Sequence, residues 1–93
     1  GAASADNPAC GDVVEVFVRV DGGRLAEASF LAQGCPAVIA GASFVLDRAV
    51  GSTVEEVGGL EVDGLLAEAG ETSAARRHGF AMVVRALKEA AGG

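Results

Sequence analysis

Hydrophobic and polar positions alternate along the chain twice before the period changes. From Val13 to Val20 the run is β-branched, with Val14, Val16, Val18 and Val20 on one face and Glu15, Phe17 and Arg19 on the other. That two-residue period predicts a strand. Asp21-Gly22-Gly23 interrupts it with residues suited to a hairpin turn, where glycine takes positive φ. Leu25 to Gln33 then alternates again, and Ala26, Ala28, Phe30 and Ala32 share a face. The two runs predict an antiparallel hairpin. Gly1 to Asn7 reads as a loose lead-in, and Ala2 to Ala9 adds at most a fragment of a third short strand.

After Gly34-Cys35 the spacing becomes helical. Pro36 suits the first position of a helix, where a missing N–H costs little. Val38, Ile39, Ala42, Val45, Leu46 and Ala49 recur on one side, and Gly51 supplies a stop. Ser52-Thr53-Val54-Glu55 has the form of a capping box and starts a short helix that Gly58-Gly59 ends. Asp63 caps a further short turn through Ala69, closed by Gly70. Thr72 or Ser73 caps the last helix, whose buried stripe is Ala75, Gly79, Met82, Val83, Ala86, Leu87 and Ala90. Strands followed by helices predict an α+β domain, a small antiparallel sheet with helices packed on one face. No repeat or linker divides the 93 residues, so the expectation is one domain over 1–93.

Composition narrows the core and the partners. Half of the chain is apolar, but much of that is Ala and Val, and Trp and Tyr are absent. The core is therefore expected to use small aliphatic side chains with Phe17, Phe30 and Phe44, and Phe80 on the last helix. A net charge of −6 without a basic stripe argues against nucleic acid, whose phosphates would repel the surface. Gly, Arg and Asp interrupt every apolar run, so no membrane span is expected. Gly1 to Pro8 is small and polar, unlike a secretory leader, and a cytoplasmic protein is the expectation.

The chemistry concentrates at two element junctions. Cys10-Gly11-Asp12 precedes the first strand of the hairpin, and Cys35 follows the second. The two strand runs are nearly equal in length about the turn. Antiparallel pairing therefore brings Cys10 and Asp12 toward Cys35. Cys35 also stands just before a helix N-terminus, where the dipole and free N–H groups favour the thiolate. A thiolate binds metal or accepts sulfur, and Asp12 adds a hard anionic ligand or a base that opens the site to exchange. The thiols also have plainer readings, as small buried hydrophobes or as one disulfide. Glycine-flanked cysteines at element junctions, one with an acid two residues away, fit those readings poorly. No Ser-His-Asp order, phosphate loop or nucleophile–base pair is present, so a binding protein is expected in preference to an enzyme.

Asn7-Pro8-Ala9-Cys10-Gly11-Asp12 resembles the N-P-x-C-G-D signature of the NifU/IscU/SufU family of iron–sulfur cluster scaffolds. Phe30-Leu31-Ala32-Gln33-Gly34-Cys35, with Ala40-Gly41-Ala42-Ser43, is similar to the family's second-cysteine segment and the helix after it. Gly51-Ser52-Thr53-Val54-Glu55-Glu56 resembles its G-K-T-x-E-E stretch. Arg77-His78-Gly79-Phe80-Ala81 falls where the family has its third cysteine. The resemblance runs from Asn7 to about Ala91 and implies the α+β fold of SufE/NifU-like proteins.

Carried over by position, the resemblance implies that Cys10 and Cys35 ligate an iron–sulfur cluster, iron or zinc. It also implies that Asp12 tunes exchange, and that His78 ligates as the histidine before the third cysteine does in some members. A cysteine desulfurase and apo iron–sulfur proteins are the implied partners. A homodimer sharing the cysteines of two chains is one way to gather more thiolates. Three departures stand against full scaffold chemistry. Gly79 occupies the place of the third cysteine. The N-terminal helix and first strand of full-length members are missing. Thr72-Ser73-Ala74-Ala75-Arg76 stands where Isc-type members carry L-P-P-V-K. Cys10, Asp12, Cys35 and His78 together give about four mixed donors, which suits zinc or a single iron better than a thiolate-only cluster. His78 is otherwise a helix-surface polar group. Two further readings follow: a scaffold-fold interaction module without cluster chemistry, and a sulfur-transfer component accepting persulfide on Cys35.

Overall fold

The computed structural model describes residues 1–7, 11–34, 36–70 and 74–92. Three strands, β1 (Ala2–Asn7), β2 (Asp12–Asp21) and β3 (Arg24–Gln33), precede four helices. These are α1 (Pro36–Ala49), α2 (Val54–Gly58), α3 (Val62–Ala69) and α4 (Ala74–Gly92). The strands form one antiparallel meander in the order β1-β2-β3. The predicted α+β class and the hairpin are both present.

The opening residues depart from the expectation of a loose lead-in and two good strands. Ala2–Asn7 pairs with β2 along its whole length, from Ala2↔Phe17 to Asn7↔Asp12. Gly1 extends the ladder, donating its ammonium to the Val18 carbonyl at 3.0 Å and accepting from the Val18 N–H at 2.9 Å. Small side chains hide a strand from a pattern search, since Ala and Ser give almost no hydropathy contrast. The reason for the strand is packing: Ala3 and Ala5 join Val14 and Val16 on the inner face beneath α4.

Within the hairpin, Gly22 (φ 61°) and Gly23 (φ 78°) make the tight turn with both central residues at positive φ. A bulge lies between Arg19 and Val20, where the register steps from Arg19↔Glu27 to Val20↔Leu25. The extra residue on β3 breaks its alternation. Leu25 is fully buried, although it falls outside the inner set Ala26, Ala28, Phe30 and Ala32, and Val20 is exposed.

The helices cover one face of the sheet. α1 contributes Val38, Ala42, Val45, Leu46 and Ala49 to the core, while Ile39 is exposed. α4 contributes Gly79, Met82, Val83, Ala86, Leu87 and Ala90 as its spacing predicts, together with Phe80 and Val84. Of the four phenylalanines, Phe80 alone is buried. Phe17, Phe30 and Phe44 are half-buried, so the core is more aliphatic than expected. Phe44 stacks on Phe80 with ring centroids 5.6 Å apart.

The short helices adjust two predicted caps. The N-cap of α2 is Thr53, and the capping box closes with Glu56, one residue beyond the predicted Ser52–Glu55 pair. α3 starts from Glu61 without a side-chain cap, and Asp63 lies in its first turn, bonded instead to Arg77. Gly70 ends α3 as expected. The candidate caps Thr72 and Ser73 lie outside the described residues.

Chain direction fixes which end of the molecule carries the chemistry. The turn after α1 is tied to the hairpin tip, with Gly51 N–H donating to Leu25 O and Leu25 N–H to Ser52 O, each at 2.8 Å. The start of α1 is therefore at the opposite end of the sheet, beside Asp12 and Gly34. α4 runs in the same direction as α1. Its Gly79-Phe80 backbone meets Gly41 in the first half of α1, while Ala90 approaches Gly1 near Val18. The ends of β1 and β3 and the first turns of α1 and α4 thus gather at one end of the domain.

Candidate functional site

Asp12 is the first residue of β2, and the residue is only 3% exposed. It is the one buried charged residue among the described residues. Burying an ionised carboxylate costs more than burying a neutral polar group, still several kcal/mol after relaxation, so the position demands compensation. None of the buried side-chain polar atoms among the described residues lacks a hydrogen-bond partner.

The strand register explains what Asp12 packs against. Val13 pairs with Gln33, so the next step along each strand sets Asp12 beside Gly34. The two residues touch closely. A Cβ added to Gly34 would lie 2.9 Å from Asp12 Cα and 3.1 Å from its Cγ, and closer still to Oδ1. Gly34 also has φ 116°, a conformation that L side chains rarely adopt. The Asp12 carboxylate therefore lies against bare backbone one residue before Cys35 in the chain.

Asp12 is thus at the junction that hairpin geometry indicates. Cys10 and Cys35 lie outside the described residues. His78 is exposed on the first turns of α4, ahead of the buried Gly79. No group of three or more His, Cys, Asp or Glu side chains able to hold a metal forms among the described residues. The residues with the chemistry to do so are the soft thiols of Cys10 and Cys35, the hard carboxylate of Asp12 and the borderline imidazole of His78. A buried carboxylate two residues after Cys10 in the chain, packed against the residue just before Cys35, has the donor chemistry to complete a mixed thiolate–carboxylate–imidazole set.

Gly79 lies at a crowded place. A Cβ on Gly41 would lie 3.3 Å from the Gly79 carbonyl carbon and 3.0 Å from Phe80 Cδ1. α1 and α4 cross there nearly backbone to backbone. Nearby, the Arg77 guanidinium bonds to the Asp63 carboxylate and holds it below the usual carboxylate range, chiefly through the hydrogen bond and then through charge. Arg77 thereby ties the start of α4 to α3.

Gly34 is the residue that sequence reasoning passed over. In Phe30-Leu31-Ala32-Gln33-Gly34-Cys35 the sequence pattern gives it no role of its own. Its signal is a glycine directly after the last strand residue and directly before a cysteine.

The family model for the NifU-like N terminal domain matches residues 1–92. Two iron–sulfur cluster assembly scaffold proteins of Archaeoglobus fulgidus, IscU 1 and IscU 2, are each 29% identical over 90 residues. Those matches take in 97% of this chain and 59% of each relative, so the chain spans about three fifths of their length. The scaffold protein IscU of Haemophilus influenzae is 36% identical over 55 residues, covering 58% of this chain and 44% of its own.

Among solved structures, a hypothetical protein aligns with a TM-score of 0.78 at 27% identity, over 99% of this chain and 81% of that one. A SufU-type iron–sulfur cluster assembly scaffold structure from Fervidobacterium islandicum aligns at 0.72 with 18% identity, over 97% and 79%. A NifU-like N-terminal structure from Brucella abortus aligns at 0.73 with 15% identity, over 97% and 75%. The last two show the fold alone. No described helix is long and apolar enough to cross a membrane.

Proposed function

This chain belongs to the NifU-like N-terminal domain family, and from that premise we propose that it is an iron–sulfur assembly carrier, a binding protein that holds iron or a nascent cluster as cargo and releases it. The observation that carries this reading is the Asp12 carboxylate, buried against Gly34 one residue before Cys35. Cys10 and Cys35 supply thiolates, and Asp12 supplies a hard oxygen donor that binds a soft-ligated iron less firmly than a third thiolate would. His78, on the helix that reaches the same end of the domain, is the fourth donor. Cys35 directly precedes α1, where the helix N-terminus favours the thiolate. Zinc fits the same mixed set.

The partners of this reading are a cysteine desulfurase, which delivers sulfur, and apo iron–sulfur proteins, which receive the product, in the cytoplasm. The domain's own work is to bind, orient and release. Two copies sharing their cysteines would hold a larger cluster. The test is anaerobic reconstitution with iron and sulfide, read by absorption and metal analysis. Expected is stoichiometric iron lost in Cys35→Ala. Absence of iron and zinc in the wild type, or binding unchanged in Cys35→Ala, overturns the reading.

A second reading is favoured by Gly79. The third thiol is gone, and its position is spent on a close helix crossing at Gly41. A metal-free interaction module would keep the fold and the desulfurase contact alone. Co-purification with a desulfurase, without metal or persulfide on Cys35, supports it. A one-sulfur mass gain on Cys35 after incubation with the desulfurase supports instead a sulfur-relay role.

A further inference from the structure

We infer that Gly34 is a positioning residue for Asp12, and that its missing side chain presets the carboxylate as a ligand. The inference rests on the metal-carrying reading above. Its basis is steric and has two independent parts. The first is conformational: φ 116° at Gly34 is strained for any L side chain. The second is spatial. The 2.9 Å separation from a Gly34 Cβ involves Asp12 Cα, a backbone atom that no rotamer change can move away. The Val13↔Gln33 pairing holds both strand ends in place. Any side chain at position 34 must therefore push β2 and β3 apart at this step or displace the Asp12 carboxylate.

The functional consequence follows from order along the chain. Gly34 precedes Cys35, and Asp12 follows Cys10 by two residues. A slot that seats the Asp12 carboxylate against residue 34 couples the carboxylate to both cysteine-bearing segments. The burial of Asp12 removes the freedom an exposed aspartate would lose on ligation. Supporting residues of this kind matter to metal sites because they hold donors in register, and their loss typically weakens binding about 10- to 100-fold.

In Asp12 the carboxylate that lies against Gly34 is one methylene from the backbone. A glutamate at the same place would carry its oxygens past the seat while keeping its charge.

The experiment is a double-mutant cycle read with Co2+ as the probe. Wild type, Gly34→Ala, Asp12→Ala and the double variant are titrated anaerobically. Ligand-field and thiolate charge-transfer absorption report the donor set, and circular dichroism reports the apo fold. Gly34→Ala is expected to weaken Co2+ binding about 10- to 100-fold and to shift the ligand-field bands toward those of Asp12→Ala. In the Asp12→Ala background the same substitution is expected to change affinity less than about twofold, because the residue it acts through is gone. Should Gly34→Ala fail to fold, Asp12→Glu decides: its spectrum and affinity are expected to match Asp12→Ala despite the retained charge. An equal loss in both backgrounds overturns the inference, as does wild-type behaviour of Gly34→Ala or Asp12→Glu. A wild type that binds no Co2+ instead overturns the metal-carrying reading beneath it, and the two failures are thereby distinct.

Discussion

Gly41 of α1 and Gly79 of α4 face each other across a helix crossing so close that a methyl group on Gly41 would lie 3.3 Å from the Gly79 carbonyl carbon. The same methyl would lie 3.0 Å from Phe80 Cδ1, on the ring that stacks with Phe44. Alanine is the better helix former by roughly 0.5–1 kcal/mol. Here the neighbours are a backbone carbonyl and a buried ring, neither free to yield. Overpacking of this kind typically costs 1–3 kcal/mol, about twice the propensity gain. Gly41→Ala is therefore expected to destabilise the domain by about 1 kcal/mol net, read as a lower urea midpoint with an unchanged slope. A stabilised variant would show that the crossing relaxes freely.

The other member of this pair, Gly79, stands where the family resemblance places a third cysteine. On the carrier reading, two thiolates, one carboxylate and one imidazole form the donor set. Gly79→Cys is then expected to raise thiolate-to-Co2+ charge-transfer absorption by about half, as thiolates rise from two to three in a tetrahedral set. The variant is expected to release metal to a chelator more slowly than wild type. Unchanged absorption in a folded Gly79→Cys protein would mean that the α4 position does not reach the metal.

Much of the architecture was legible because the residues that specify it differ sharply from their neighbours. Val14, Val16 and Val18 alternate with Glu15 and Arg19, and the burial follows that contrast residue by residue. β1 was illegible for the converse reason. Ala2, Ala3, Ser4 and Ala5 carry no contrast, and their strand exists because β2 offers an edge and α4 a cover. Leu25 was misread because a bulge is an event between two strands, invisible in either alone. At the site, strand pairing alone placed Asp12 beside the segment leading to Cys35. The depth of its burial and the role of Gly34 needed coordinates, since both depend on separations of a few tenths of an ångström.

The start of α2 offers a test of local against tertiary stabilisation. Thr53 Oγ1 accepts from the Glu56 N–H at 3.1 Å, and the Glu56 carboxylate accepts from the Thr53 N–H at 2.9 Å. α2 is only five residues long, too short to form without its cap and its buried Val57. Thr53→Ala is expected to cost about 1 kcal/mol, the usual value for an N-cap. Amide exchange should report the loss chiefly in 54–59, with little change in α4. A loss spread evenly over the domain would mean that α2 opens only in global unfolding.

Acid stability follows from Glu56 and Asp63. The backbone N–H of Thr53 and then its hydroxyl-linked contact hold Glu56 below its ordinary value, and the Arg77 hydrogen bond does the same for Asp63. A depressed folded-state pKa means that the unfolded chain binds more protons in this range. The stability each group contributes is therefore fully present above the ordinary carboxylate range and is lost as pH falls through its lowered folded value. Both groups are exposed, so added salt should shrink the Asp63–Arg77 contribution. Urea midpoints of wild type and Asp63→Asn, followed from neutral pH downward at low salt, are expected to differ most at neutral pH and to converge in acid. Arg77→Ala is expected to trace the same converging curve. A gap between wild type and Asp63→Asn that stays constant with pH would show that the helix-turn position of residue 63, and not its ion pair with Arg77, carries the effect.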